Sequence, residues 1–245
     1  MNELDAAKKA AMLAGKITRK AFFGSFKIEK KESREFVTSA DKEAERIVRR
    51  VLSENFPDYA IVGEELGEKE GKEAKWYIDP IDGTHNFMQH IPFFNTSIAL
   101  EKDGEDRIGV VYNPILDEMF WAEKGKGAFM NKKRIRVGEP KEGALFAGTC
   151  YTSKNIDEAA KLISKFSKKY GSMKKYGSAE LELCYVAAGF LDAFMGIDLK
   201  LWDFKAGVVV VREAGGIAEE VVFGKRRYLV ASNIKMFPKL VELAK

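Results

Sequence analysis

The sequence predicts a layered architecture of mixed sheets and helices, α+β in its first half and α/β in its second. Three observations predict it. Two amphipathic helical segments open the chain, a run of short strands broken by turns follows, and strands then alternate with helices to the end. With 46% hydrophobic and 11% aromatic residues over 245 positions, the chain can bury a sizeable core, which excludes wholesale disorder.

Leu4, Ala7, Ala11, Ala14, Ile17 and Ala21 recur at spacings of three and four, so they mark a first helix, and Gly24 ends it. The charged stretch 25–36, with Lys27, Lys30, Lys31 and Arg34, reads as a mobile loop or an exposed hairpin. Thr38 and Asp41 then stand at capping-box spacing, with Asp in place of Glu. Ala44, Ile47, Val48, Val51 and Leu52 form the apolar stripe of a second helix, which Pro57 closes. From Tyr59 the period shortens to strands at 60–62, 76–79, 96–100, 108–112, 119–122 and 134–137, with Asp103-Gly104 as a turn signal. After Pro140 the order is strand 145–150, helix 156–170, strand 173–176 and helix 179–188. Strand 192–197, helix 204–214, strand 228–231 and helix 238–244 complete it. The change of texture near 138–143 divides the chain into an N-terminal half, residues 1–140, and a C-terminal half, residues 141–245.

Lys plus Arg number 41 against 37 Asp plus Glu, a formal charge of +4 spread without a basic run, so nucleic acid is not an expected partner. Charged residues reach 32%, above a typical ~25%, and the Lys and Glu bias resembles that of heat-adapted, thermophilic proteins. Cys150 and Cys184 cannot form a disulfide scaffold; their apolar neighbours suggest buried thiols in a reducing compartment. The first residues lack the sustained apolar core of a secretory signal, and no apolar run approaches the ~18 residues that span a bilayer. A soluble, cytoplasmic protein without a membrane partner is expected.

Phosphate-loop, dinucleotide and nucleophile-elbow motifs are absent. His85 and His90 have no cysteine cluster beside them, so zinc is not expected, and each reads as a loop or core histidine. Acidic residues stand out instead. Asp79-Pro80-Ile81-Asp82-Gly83-Thr84 follows the strand at Trp76, and two carboxylates three apart with a fixed proline φ between them can converge beyond the strand end. The Ile81 carbonyl is a further oxygen ligand. If a helical turn starts at Thr84, the amides of Gly83 and Thr84 would form an anion cradle. Such oxygen donors suit Mg²⁺ or Mn²⁺. Glu64 and Glu65 stand at another strand end, and Asp203 stands where a helix opens. Each has a plainer reading as a turn or cap, and spacing alone does not show that they meet.

The combination resembles the inositol monophosphatase family of Mg²⁺-dependent, lithium-sensitive sugar phosphatases. The matching pieces are Val37-Thr38-Ser39-Ala40-Asp41, Gly63-Glu64-Glu65, the run from Trp76 through Asp79-Pro80-Ile81-Asp82-Gly83-Thr84 to Asn86-Phe87, and Trp202-Asp203 with Glu213-Ala214-Gly215-Gly216. They occur in family order. The resemblance implies an αβαβα five-layer sandwich, usually a homodimer. It also implies that Glu64, Asp79, Asp82, Asp203 and the Ile81 carbonyl are metal ligands for two or three Mg²⁺, with Mn²⁺ able to substitute. By the same resemblance Gly83 and Thr84 cradle phosphate, and Thr84 with Asp41 orients an attacking water. Glu65 lies beside the metals or binds a weaker third one.

On the substrate side, Gly177-Ser178-Ala179 matches a segment that contacts the substrate ring. Inositol-selective members carry an acid seven residues before the last metal aspartate, where this chain has Gly196; Asp198 and Lys200 are the nearby candidates to replace it. The resemblance therefore implies hydrolysis of inositol monophosphate and of fructose 1,6-bisphosphate by metal-activated water, as in dual-activity members. Two alternatives stand beside it: a phosphatase for NADP or 3′-phosphoadenosine 5′-phosphate, and a binding protein for the transcription machinery with residual activity.

Overall fold

The computed structural model describes residues 1–30, 36–140 and 145–245. Lys31, Arg34, positions 141–144 of the expected boundary and the Cys150 side chain lie outside the described residues.

Helix α1 (Glu3–Phe23) starts at Asn2, whose side chain accepts the Asp5 N–H at 2.8 Å, and ends at Gly24. Ala6, Ala7, Ala10, Ala11 and Ala14 are fully buried, and a spine without bulk lets α2 (Ser39–Asn55) pack closely alongside. The predicted capping box is present: Thr38 accepts the Ala40 N–H at 3.2 Å and Asp41 accepts the Thr38 N–H at 2.7 Å. A cap of this kind contributes about 1 kcal/mol. Within the described part of stretch 25–36 and just beyond it, β1 (Ile28–Lys30) pairs antiparallel with β2 (Phe36–Thr38).

The large sheet contains β3 (Ala60–Gly63), β4 (Gly67–Lys69), β5 (Ala74–Asp82), β6 (Asn95–Lys102), β7 (Glu105–Asn113), β8 (Glu118–Glu123), β9 (Gly127–Met130) and β10 (Lys133–Ile135). Their order is β10-β9-β8-β7-β6-β5-β3-β4, and only β3 and β5 run parallel. Asp103 and Gly104 both take positive φ, 57° and 73°, as a tight hairpin between β6 and β7 demands. A short helix, α3 (Thr84–Met88), interrupts the path from β5 to β6.

The second sheet has order β12-β11-β13-β15-β14. It is built from β11 (Leu145–Cys150), α4 (Ile156–Lys169), β12 (Gly171–Lys174), α5 (Ala179–Ala187), β13 (Ala193–Ile197), α6 (Lys205–Glu213), β14 (Ile217–Phe223), β15 (Arg226–Ser232) and α7 (Phe237–Ala244). The short β4 and β9 and the edge strand β14 were not expected. Two of them begin at glycines, and β14 has mainly exposed or half-exposed side chains, which blurs the apolar alternation that marks a strand.

Five layers result. Helices α1 and α2 cover one face of the large sheet, α5 and α6 lie between the sheets, and α4 and α7 cover the far face of the small one. The two-residue period of β5 explains the arrangement: Trp76 and Ile78 pack under the α1 alanines, while Tyr77 faces the cluster of Leu181, Val208 and Val210. A third cluster joins Met195 and Val230 to Phe166 and Leu240. The sheets thus divide between Ile135 and Leu145, yet the α5–α6 layer seals both. Cys184 is a buried thiol. Among the described residues, no helix is long and apolar enough to cross a membrane.

Candidate metal centre

Strand β5 carries the first two acids. Its register with β6 shifts between Asp79, opposite Ser97, and Asp82, opposite Asn95. On a regular strand residues three apart point to opposite faces; a bulge of one extra residue restores them to one side. Pro80 has no N–H to lose to the ladder, and its carbonyl instead accepts the Thr96 hydroxyl at 2.8 Å. Asp79 and Asp82 are both buried, and Asp79 Oδ1 accepts the Ile81 N–H at 3.0 Å.

Asp82 rests on the N-terminus of α5. Its Oδ2 accepts the Ser178 hydroxyl at 2.7 Å, the Glu180 N–H at 2.8 Å and the Asn95 side-chain amide at 2.9 Å. Among the described residues, Oδ1 receives only the Ala179 N–H, at 3.3 Å. Ser178 and Ala179, matched by sequence to a substrate-contacting segment, are thus both placed on Asp82, and Ser178 is fully buried.

The other acids arrive from separate elements. Glu64 follows β3, and its N–H donates to the Ile78 carbonyl at 3.2 Å. Asp203 lies in a 3₁₀ turn, Leu201–Asp203, and accepts the Lys200 N–H at 2.8 Å. Burial is the main force on Asp79, raising its pKa well above the ordinary value, and the charges of Glu64, Asp82, Asp203 and Asp41 add to it. Burial likewise pushes the Asp203 carboxyl up to about 7 against the Lys200 bond, with Glu64 and Asp82 adding repulsion. Burial raises Asp82 too, although the bonds from Ser178, Asn95, Glu180 and Ala179 oppose it. Asp41 is pushed up to about 7, first by burial and further by Glu65 and Glu64, against two bonds from Thr38. These six carboxylates share one electrostatic field.

Gly83 and Thr84 start α3. Gly83 has φ +96°, and a Cβ there would lie 3.1 Å from the Phe93 carbonyl and 3.2 Å from that of Gly177, so conformation and space both require glycine. Asn86 ties α3 down by donating to the Phe93 and Tyr176 carbonyls, both at 2.7 Å. The Thr84 hydroxyl donates to the Ile81 carbonyl at 3.1 Å, while Asp41 retains one buried oxygen, Oδ1, without a hydrogen-bond partner among the described residues. His90 bonds the Phe22 carbonyl at 2.8 Å, and His85 stands edge-on to Phe36.

The remaining candidates lie at the β13–α6 turn. The Asp198 carboxylate accepts Arg226 at 2.7 Å and the Arg227 N–H at 3.0 Å; these bonds outweigh burial and hold its pKa below the ordinary range. Lys200 stands over the Trp202 ring. Gly196 is in β13, where a Cβ would sit 2.5 Å from Leu199 Cδ1, so an acid there requires Leu199 to move. Sequence reasoning missed Asn95 and the buried Glu45, which accepts the Glu65 and Leu66 N–H groups. The signal for Glu45 was its place four residues after Asp41 on α2.

Among the described residues, no three acidic, histidine or cysteine side chains close into a ready ligand set. The chemistry nevertheless fits a hard divalent cation. Every donor is an oxygen, burial and mutual repulsion disfavour the charges, and Asp41 keeps an unpartnered buried oxygen.

Residues 1–244 match the profile of the Inositol monophosphatase family. The chain is 40% identical to the inositol-1-monophosphatase of Caulobacter vibrioides, covering 98% of each chain. It is 36% identical to the fructose-1,6-bisphosphatase/inositol-1-monophosphatase of Aquifex aeolicus, over 99% of this chain and 95% of that one. The Nus factor SuhB of Escherichia coli K12 is 37% identical, over 94% and 89%. In structure the chain is similar to the IMPase of Thermotoga maritima, with TM-score 0.90, 33% identity and coverage of 100% and 97%. The SuhB protein of Bartonella henselae gives TM-score 0.92, 34% identity and coverage of 98% and 97%.

Proposed function

We propose, since this chain belongs to the inositol monophosphatase family and is a phosphatase, that it hydrolyses both inositol monophosphate and fructose 1,6-bisphosphate. Supporting this is the β5 bulge, which puts Asp79 and Asp82 into one field with Glu64 and Asp203. Glu64, Asp79, Asp82, Asp203 and the Ile81 carbonyl would hold two or three Mg²⁺, or Mn²⁺. When bound, the metal supplies an activated water and neutralises charge on the leaving alkoxide. The chain does the rest. Amides of Gly83 and Thr84 bind the phosphate, and Asp41, assisted by Thr84, orients the water and receives its proton on Oδ1. Glu65 adds charge beside the metals. In this reading residues 1–140 carry most ligands, and residues 141–245 supply Asp203 and the α5 support of Asp82.

Substrate breadth follows from the sugar side. Asp198 is held by Arg226 and the Arg227 N–H, and Gly196 offers no polar group, so at this turn few side chains among the described residues remain to read ring hydroxyls. We place the protein in the cytoplasm as a homodimer. The deciding experiment is a phosphate-release screen over inositol 1-phosphate, fructose 1,6-bisphosphate, NADP and adenosine 3′,5′-bisphosphate, with and without Mg²⁺. No release from the first two at saturating Mg²⁺ overturns the proposal. The relatives named as Nus factors favour a second reading, binding to the transcription machinery. Capture of transcription proteins by a variant lacking hydrolysis would support it.

A further inference from the structure

We propose that Glu45 is a positioning residue, whose buried carboxylate, braced by Arg49, sets the segment carrying Glu64 and Glu65 at the metal centre. The inference rests on the reading of Glu64 as a metal ligand.

Asp41, Glu45 and Arg49 recur every four residues along α2 and therefore lie on one face. Glu45 is fully buried. Its Oε2 accepts the Glu65 N–H at 2.7 Å, and its Oε1 accepts the Leu66 N–H at 3.2 Å and Arg49 Nε at 2.7 Å. Arg49 also donates, through Nη2, to the Gly67 carbonyl. From the other side the Glu64 N–H is held by the carbonyl of Ile78, the residue before Asp79. The backbone of 64–67 is thus pinned between α2 and the strand bearing the first aspartate.

Two features indicate positioning beyond simple packing. A carboxylate accepts at both oxygens, as this arrangement demands, whereas glutamine accepts at one only. Moreover, a buried ion pair adds little stability by itself, so the Glu45–Arg49 pair is not explained by stability alone. Close approach is also built in: a Cβ on Gly63 would lie 2.1 Å from Glu45 Oε1 and 2.8 Å from Arg49 Nη2. Gly63 is therefore the residue that lets the carboxylate reach the turn.

The test uses the full chain as wild type, E45Q, G63A, E64Q and E45Q/E64Q, with Mn²⁺ affinity measured by calorimetry and Mg²⁺ activation by steady-state kinetics. E45Q should weaken Mn²⁺ binding about ten- to hundredfold, the range for residues that orient metal ligands. At saturating metal, KM for inositol 1-phosphate should be unchanged. G63A should act in the same direction without altering any charge, and it decides the matter if circular dichroism shows E45Q unfolded. In the E64Q background, E45Q should add little, because its effect passes through that segment. Wild-type affinity in E45Q and G63A overturns the inference while leaving the metal centre intact. A full additional loss in E45Q/E64Q overturns it as well, since that marks a general structural defect. Wild-type affinity in E64Q overturns the metal reading itself, and the inference with it.

Discussion

Ser178 donates its hydroxyl to the Asp82 carboxylate at 2.7 Å across 96 positions of sequence. That bond ties the end of β5 to the cap of α5. Asn95 reinforces it by donating to both Asp82 Oδ2 and Ser178 Oγ at 2.9 Å. Oδ2 is saturated by these donors and the Glu180 N–H, which leaves Oδ1 as the oxygen proposed to take a cation.

Asp82→Asn tests this division of labour. The amide oxygen can occupy the Oδ2 position, so the fold should hold, while the NH₂ group replaces the oxygen offered to metal. Metal affinity and turnover should each fall on the order of a hundredfold. Calorimetry with Mn²⁺ and phosphate-release assays check it; near-normal values in both would falsify the assignment of Asp82.

Thr84→Ala and Asp41→Asn should each lower kcat more than they raise KM, because orientation of the water counts mainly in the transition state. If the two act as a unit, the double variant should be clearly less impaired than the product of the single effects. A double-mutant cycle on kcat decides; strictly multiplicative effects argue against the pair.

Stability should report the buried acids. Asp41 and Asp203 are raised from 3.8 to about 7, mainly by burial, so the folded chain without metal keeps protons that the unfolded chain releases. Their contribution to stability is full below the unfolded pKa of ~4 and is lost as pH rises through about 7. Mg²⁺ should therefore raise Tm more at pH 8 than at pH 5, because at low pH it must displace protons. Thermal unfolding with Mg²⁺ and with chelator, compared at each pH, cancels groups remote from the centre. An equal shift at both pH values would contradict the account.

A site that holds phosphate and metal firmly but the ring loosely cannot strongly reject related polyol phosphates. The kcat/KM values for inositol 1-phosphate and fructose 1,6-bisphosphate should fall within roughly two orders of magnitude of each other. Gly196→Glu should favour the inositol ester only if Leu199 yields, since that side chain stands 2.5 Å from a Cβ at 196. Steady-state kinetics on both esters settles the ratio. Turnover of one ester alone would mean that an unrecognised residue reads the sugar.

The helices were legible because their signals are local. Alanines at three- and four-residue spacing, the Thr38–Asp41 box and Gly24 act within a few turns of chain, and α1 ends at Gly24 while α2 begins at the Thr38 cap. Strands β4, β9 and β14 were not legible, being short or at an edge, where solvent relaxes the alternation. Asp79 and Asp82 could be picked out as chemistry from their spacing around Pro80. Asn95 could not, and Glu45 only by its place four residues after Asp41 on α2, because a buried polar residue declares its role through the partner it meets.

The sequence by itself therefore determined the order of the helices and of most strands, the capping of α2, the turn at Gly83 and the oxygen character of the donors, all consequences of neighbours close along the chain. Only the tertiary structure decided that the β5 bulge sets Asp79 and Asp82 in one field with Glu64 and Asp203, that Ser178 holds Asp82, and that Asp198 is spent on Arg226. Those outcomes depend on how sheets and helices stack. Burial and mutual repulsion arise from distances between segments far apart in sequence, and no local pattern encodes them.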